Sequence, residues 1–467
     1  MVQVCDVTVL GAGPAGASAA VEVARLGLSV SLVDEADAAG GQVYRVAMGV
    51  DVPAREPERV AGDALRAALA ASAVGSHFGC RVWHVERSVE GYDVRAQGDT
   101  GTIALRSRAL IVATGAQEKH LPVQGWESPG VIGLAAATVL LKAQRVLPGR
   151  EVIVAGAGPL LLAVAAGIIK SGGRVAAIVD VNPRRAWLRN ARALASRPDL
   201  AARGARWMAL LAARGVPMLH RSVVTRVEHG AEGLRVTVAS PEAERTIASD
   251  ALCLGYGLTP ATEITRALGA MHAYDPASGG WHVMVDDAQR TSLAGLFACG
   301  DATGITGAAA APWSGRLAAL GAAVQLGHRS SADVAAALRT MTRQRDRAAR
   351  FGRAMTALTA VDNVVLPVIA PDTIVCLCEG VSRRVLDDAI DDGARTLGEL
   401  KTATRCGMGP CGGRVCGEAA AGLLALRIGA SRADVGCGSV RSPLRPVALG
   451  VLAAEGRPLG AGVSAPA

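Results

Sequence analysis

Lysine and aromatic side chains are scarce in this sequence. Only four of its 49 basic residues are lysine (Lys119, Lys142, Lys170 and Lys401), and 3% of residues are aromatic. The formal net charge is +8, but the arginines are scattered and form no basic run. A nucleic-acid groove needs clustered basic residues and stacking aromatics, so the charge is expected to be a solvated surface with no nucleic-acid partner. The first residues lack a basic stretch and a cleavage site and enter a strand almost at once, so no secretory leader is expected. Residues 152–169 are apolar over about the length of a bilayer span. They carry Gly156-Ala157-Gly158-Pro159 near their start, which predicts strand, turn and buried helix instead. No Cys-x-x-Cys occurs in the first 375 residues. Cys5, Cys80, Cys253 and Cys299 stand singly in apolar segments, as core thiols do, which argues against a redox-active disulfide of that type there. Histidines form no pair at metal-ligand spacing.

What is present begins at once. Residues 6–10 are an apolar run, followed by Gly11-Ala12-Gly13-Pro14-Ala15-Gly16, an Ala-rich stretch to about residue 26, a second apolar run at 29–33, and Asp34-Glu35. Strand, glycine turn, helix, strand and acid in this order make the βαβ dinucleotide fingerprint. Gly11 makes the tight turn, Gly13 lets backbone approach a pyrophosphate, and Gly16 lets helix and strand pack closely. The helix N-terminus faces the negative charge, and Asp34 stands where an acid accepts a ribose hydroxyl. Two further strands end in short polar turns. Residues 110–115 close with Ala113-Thr114-Gly115, and 296–301 close with Gly300-Asp301.

Together these stretches resemble the flavoproteins with two dinucleotide-binding domains, the pyridine-nucleotide-disulfide-reductase-like group. The resemblance implies FAD. It implies that Asp301 reaches the ribityl and phosphate part of the cofactor, and that the Gly40-Gly41-Gln42 segment passes beside the flavin. Glu35, Ala113, Thr114, Gly115 and Gly300 complete the cofactor-binding set. The expected fold is α/β with two Rossmann-like domains and a small helical C-terminal domain. The FAD domain is discontinuous, at 1–120 and 285–350.

Residues 121–284 predict a second dinucleotide domain of NAD(P) type. It opens with Gly156-Ala157-Gly158-Pro159-Leu160-Leu161. Leucine at the third-glycine position holds helix from strand and crowds the pyrophosphate, so the site is expected to be degenerate and a bound nicotinamide doubtful. Asp180 could bind a ribose and Arg184 and Arg185 a phosphate, but Asn182-Pro183 reads better as a helix cap. Residues 364–371, with two prolines, predict a linker.

Half of the ten cysteines fall between Cys376 and Cys416. Cys376-Leu377-Cys378 is followed, after 32 residues, by Cys411 and then Cys416. Four thiolates are what a [2Fe–2S] cluster requires, although tetrahedral sulfur also suits zinc. Glycines around Cys411 free backbone amides for cluster sulfurs. The spacing resembles the bacterioferritin-associated-ferredoxin-like module, which implies Cys376, Cys378, Cys411 and Cys416 as ligands in a domain spanning 372–430. Cys406 is then a bystander. Residues 431–467 predict an extended tail, held open by Pro443 and Pro446, with 456–467 disordered.

The order of these modules resembles the larger subunits of heteromeric amino-acid and opine dehydrogenases, among them octopine and nopaline oxidase, hydrogen cyanide synthase, and D-hydroxyproline and L-proline dehydrogenases. Gly40-Gly41-Gln42-Val43-Tyr44-Arg45, the 404–416 stretch and Arg441-Ser442-Pro443-Leu444-Arg445-Pro446-Val447 carry the match. Gly412 stands where relatives usually have glutamine. The resemblance implies one component of an FAD-dependent oxidoreductase that acts on CH–NH donors. A second flavoprotein subunit, with or without a small ferredoxin-like subunit, would oxidise the substrate. Electrons would pass through [2Fe–2S] and FAD to an acceptor such as a quinone. A self-contained NAD(P)H-dependent reductase is the alternative. The expected location is the cytoplasm, with a peripheral place at the inner membrane face as a variant.

Overall fold

A long central strand decides the architecture of the first half of the chain. The computed structural model describes residues 2–46, 57–99, 101–190, 193 and 195–454. β1 (Val2–Leu10) leads into α1 (Pro14–Arg25), β2 (Val30–Val33), α2 (Pro57–Ala70), β3 (Val74–His77), β4 (Arg81–Ser88), β5 (Gly91–Gly98) and β6 (Gly101–Val112). These strands lie in the order β3-β2-β1-β6-β5-β4. β6 pairs parallel with β1 along one edge and is long enough to serve two partners on the other. Its first half pairs antiparallel with β5, and its end pairs parallel with β19 (Leu296–Ala298), which returns from far along the chain. Val7, Val9, Ile111 and Phe297 are fully buried on one face, among the alanines of α1. Small side chains there let α8 (Ala311–Gln325) lie directly on α1, with Gly315 against the Ala15 carbonyl and no room for a side chain.

β7 (Ala116–Glu118) crosses out of this fold and pairs with the returning β16 (Leu258–Pro260). Between them the second fold forms from β8 (Val131–Gly133), α3 (Leu134–Val139), β9 (Glu151–Gly156), α4 (Leu160–Lys170), β10 (Arg174–Asp180), α5 (Arg184–Arg189), α6 (Pro198–Ala213), β11 (Met218–His220) and β15 (Ala251–Gly255). Its five parallel strands run β11-β10-β9-β15-β8. A three-stranded antiparallel sheet of β12 (Val223–Gly230), β13 (Gly233–Ala239) and β14 (Glu244–Ser249) covers one face. The apolar stretch at 152–169 is thus strand, turn and buried helix, and among the described residues no helix is long and apolar enough to cross a membrane.

After β16 come α7 (Glu263–Ala267) and the hairpin β17 (His272–Asp275) and β18 (Gly280–Val283). Ile264, Ala270 and Val283 share a core with Leu10, Val33 and Leu110 of the first fold. The chain therefore rejoins that fold's core about twenty residues before position 285.

The 27-residue α9 (Ser331–Ala357) starts at a Ser330–Asp333 capping box and runs into α10 (Asp362–Val365). The expected linker at 364–371 is a packed element instead. Val365, Leu366 and Ile369 are buried because their apolar side chains fill the joint between the second fold and the cysteine module. That module comprises β20 (Ile374–Cys376), β21 (Val381–Ser382), α11 (Arg383–Asp391), α12 (Leu397–Thr404), α13 (Gly417–Ile428) and α14 (Arg432–Val435). Its buried residues form one continuous core with Ile153, Val179 and Val236 of the second fold. The tail is a strap on the first fold. Leu444 donates its N–H to the Trp83 carbonyl at 2.7 Å and is buried in that core, while Ser442 bonds His84 at 2.9 Å. The short α15 (Leu449–Ala454) follows. The disorder expected for 456–467 lies outside the described residues.

Candidate cofactor and iron–sulfur sites

The first glycine turn is an open cradle. Gly11 has φ +99°, and its backbone lies against Ala113, so it tolerates no side chain. Gly16 likewise sits on the Gly11 carbonyl. Among the described residues, an added Cβ at Gly13 would meet only the Gly41 Cα, at 3.9 Å, and one at Gly115 would meet nothing within 4 Å. Backbone thus faces free space at the two positions where a pyrophosphate must approach. Pro14 opens α1 with its fixed φ, and Ala15 is clamped between Gly300 and Gly315.

The carboxylates at this cradle are held by backbone. Asp34 accepts from Ala12 N at 2.5 Å and Ala36 N at 2.7 Å, one on each oxygen. Burial raises its pKa, and these two N–H groups pull it back. Asp301 Oδ1 accepts from Thr306 N and Gly307 N at 3.0 and 3.1 Å, with its pKa likewise raised by burial. Both carboxylates retain acceptor capacity. Glu35 points elsewhere: it is exposed and pairs loosely with Arg81 at 3.7 Å. Thr114 Oγ1 donates to the Ala261 carbonyl at 2.7 Å, which ties the end of β6 to the returning chain. Ala113 N bonds Leu10 O and fixes the strand pair. Gln42 accepts from Arg45 at 2.8 Å.

Several cradle residues lacked a local signal. Arg66 bonds the Ala39 and Tyr44 carbonyls, both at 3.0 Å, and fixes the Gly40-Gly41 turn. Ser314 accepts from Gly300 N at 2.9 Å. His77, paired with Val33 in register, has a buried ring nitrogen with no hydrogen-bond partner among the described residues. An open cradle, bonded carboxylates and a spare buried nitrogen beside Asp34 fit an adenine dinucleotide.

The second turn is occupied. Gly156 and Gly158 have φ +133° and +89°, but Thr359 lies over Gly158. Asp180 is only 1% exposed. It accepts from Asn182 N (2.9 Å), Asn182 Nδ2 (3.2 Å) and Trp187 Nε1 (2.9 Å), so a ribose has no access to it. Of the Asn182-Pro183 pair, Pro183 takes the N-cap position of α5, with no side-chain cap bond, and Asn182 donates its amide to the Leu358 carbonyl at 2.9 Å. Leu161 does not crowd this turn: it is buried on the other side, in the core with Leu134, Val154 and Cys253.

Five cysteines converge in the C-terminal module. The Cys376, Cys406 and Cys416 sulfurs lie within 4.8 Å of one another and all three residues are buried. Cys411 hydrogen-bonds with Cys416 and Cys378, and the bond from Cys416 holds its thiol down at about 4, while bonds with Cys406 first and Cys411 second push the Cys416 thiol up. Cys378 is exposed and Cys411 half-buried, so the group opens to the surface on that side, flanked by exposed Leu377 and Met408. The Cys406 thiol, expected to stand apart, is in the group. The loop needs its glycines: Gly407, Gly412 and Gly413 have φ +83°, +60° and +80°. Four thiolates within one loop-rich pocket fit an iron–sulfur cluster.

The two sites are joined. Ala261 N donates to Gly115 O at 3.0 Å. Two residues on, Glu263 is ion-paired with Arg414 at 2.7 Å. Arg414 donates to the Cys411 carbonyl at 2.7 Å and the Leu444 carbonyl at 2.8 Å. Arg432 stacks on Tyr274 of the hairpin at 5.3 Å and pairs with Glu418 at 2.9 Å. Half-buried His120, whose pKa is lowered by desolvation, lies close enough to feel the Cys411 charge.

Comparison with known proteins agrees with this geometry. Residues 5–327 match the pyridine nucleotide-disulphide oxidoreductase family, and 374–425 match the BFD-like [2Fe-2S] binding domain. The chain is 33% identical to an opine oxidase subunit of Rhizobium meliloti (strain 1021), over 96% of its own length and 98% of that protein. It is 29% identical to hydrogen cyanide synthase subunit HcnB of Pseudomonas aeruginosa, over 94% and 96%. The L-proline dehydrogenase structure from P. horikoshii superposes with a TM-score of 0.73 at 21% identity, covering 97% of this chain and 80% of that one.

Proposed function

We propose, from the premise that this chain belongs to the pyridine nucleotide-disulphide oxidoreductase family, that it is the electron-transferring subunit of a heteromeric dehydrogenase for an amino, imino or opine-type acid. FAD occupies the first cradle, and a [2Fe–2S] cluster is held by Cys376, Cys378, Cys411 and Cys416. When bound, the cluster passes single electrons and the flavin stores a pair, carrying them from a partner flavoprotein subunit towards a quinone or another external acceptor.

The observation that carries this reading is the bonded path Gly115–Ala261, Glu263–Arg414–Cys411, which fixes the cysteine group against the end of the cradle strand. Arg414 and Glu263 are mostly buried, with side-chain exposures of 19% and 13%, so the two sites keep a set separation. Asp34 and Asp301, each held by two backbone N–H groups, are placed to bind hydroxyls and not to move protons. The names of the relatives add support, since two of them are subunits of opine oxidase and hydrogen cyanide synthase, and the chain spans nearly their whole length.

The test is reconstitution. The full chain, loaded with flavin and iron, should not oxidise opines, proline or other imino acids with a dye acceptor. Addition of a co-purifying flavoprotein subunit should give turnover. Oxidation by the chain alone at an ordinary enzymatic rate would disprove the relay role.

A further inference from the structure

The second dinucleotide fold does not fit the nicotinamide nucleotide that its fold family implies. In such a fold the second glycine of the turn and the end of the neighbouring strand bring backbone against the pyrophosphate. Here those positions are Gly158 and Gly257. A Cβ built on either would lie 2.8 Å from Thr359 Cγ2. The methyl of one threonine therefore stands between the two backbone segments, where the ligand's phosphates would have to lie.

Thr359 is fixed there by its neighbours. Its hydroxyl donates to the Thr356 carbonyl at 2.7 Å. Leu358, one residue before, gives its carbonyl to Asn182, whose own amide is locked on Asp180. Lys119, 9% exposed, forms an ion pair with Asp362. Leu358, Thr359 and Val361 are all buried. A second group blocks the same edge of the sheet. The Glu118 carboxylate accepts from Ala135 N at 2.9 Å and lies 2.8 Å from where a Cβ on Gly255 would be.

We propose that the pyrophosphate seat of the second dinucleotide fold is a socket for residues 356–362, the link that fixes the cysteine module in place, and that no nicotinamide nucleotide enters it. The core continuous from Ile153 and Val179 through Val361 and Val365 to Cys376 and Cys416 is the packing this socket produces. The fold retains its glycine turn because the turn now receives a side chain from its own chain. This holds whether or not the chain relays electrons, since it concerns only what fills the seat.

The experiment uses the full chain loaded with flavin and iron. Equilibrium dialysis against NADH and NADPH should show no binding up to about 1 mM; saturable binding below that overturns the proposal. Thr359→Gly empties the socket. Protease cleavage within 356–372, and iron release to a chelator, should each speed up by more than about threefold at unchanged flavin content. A smaller change in both would mean that the seat does not hold the link. If Thr359→Gly does not fold, Thr359→Ser is read in its place. Serine keeps the hydroxyl and loses the methyl, and must accelerate iron release measurably over the parent chain, or the socket is disproved.

Discussion

The two dinucleotide folds share an apolar strand, a Gly-x-Gly turn followed by proline, and an acid at the end of the next strand, yet they differ in what faces the second glycine. Gly13 looks into open space and Gly158 onto Thr359. Asp34 keeps an exposed side and bonds two backbone N–H groups, whereas Asp180 is sealed by Asn182 and Trp187. The turn motif therefore specifies a backbone shape that exposes amides, and the rest of the chain decides whether a ligand or a side chain uses it. The first fold builds a binding site, and the second uses the same geometry as a packing joint.

Replacing the paired glycines should break this comparison most sharply. Gly13→Val puts a branched side chain into the open cradle and should abolish flavin binding, with a loss of at least about 100-fold in retention, while the apoprotein still folds. Gly158→Val should leave flavin content unchanged and destabilise the fold, because Thr359 and a φ of +89° both oppose a side chain there. Absorbance of the desalted proteins and their urea midpoints separate the two results.

The cysteine module tests the comparison from the other side, since its buried core is continuous with that of the second fold. Cys378→Ser and Cys416→Ser should each lose nearly all bound iron while keeping flavin. Cys406→Ser should keep iron, as a fifth thiol beyond the four that a cluster takes. If iron is lost with Cys406→Ser and kept with Cys411→Ser, the buried trio Cys376, Cys406 and Cys416 supplies three ligands and Cys411 is the spare.

Much of this arrangement was legible in the residues. The turn at Gly11, Gly13 and Gly16, the strand ends at Gly115 and Asp301 and the cysteine spacing are local patterns that carry their own geometry. The sequence also marked the second fold as altered, but at the wrong residue. Leu161 breaks the glycine pattern and turns into the core, while the obstruction comes from Thr359, about two hundred positions on. No local pattern announces a threonine that will be placed by tertiary packing. For the same reason Pro367 and Pro371 suggested a linker where Val365, Leu366 and Ile369 fill a core, and Cys406, a fifth candidate set aside as a bystander on spacing, lies within the group.

The edge of the second fold should also show itself in pH dependence. Burial raises the Glu118 carboxyl to about 7. With the folded pKa above the unfolded one, its contribution favours folding at acid pH and is lost as pH rises through 7. Glu118→Gln keeps an acceptor for Ala135 N and removes the buried charge. It should stabilise the protein by up to about 3 kcal/mol at pH 8 and by almost nothing at pH 4, read by chemical denaturation at each pH. An equal effect at both values would mean that burial does not shift the titration of this carboxyl.

The smallest effect concerns the two acids, and it separates binding from packing within one substitution type. Asp34→Asn replaces one of two carboxylate oxygens with a donor, so either Ala12 N–H or Ala36 N–H loses its partner and the ribose loses an acceptor. Flavin affinity should fall about tenfold, which is about 1.4 kcal/mol. Asp180→Asn makes the same exchange in a sealed site. Its new NH2 must face Trp187 Nε1–H or the Asn182 donors, which leaves buried donors opposed and should cost about 1–2 kcal/mol of stability. Flavin content and partner-dependent turnover should not change, because nothing bound reaches Asp180. Loss of turnover in Asp180→Asn at full flavin and iron content would place a ligand in the second fold after all, and the difference drawn between Gly13 and Gly158 would no longer separate a site from a joint.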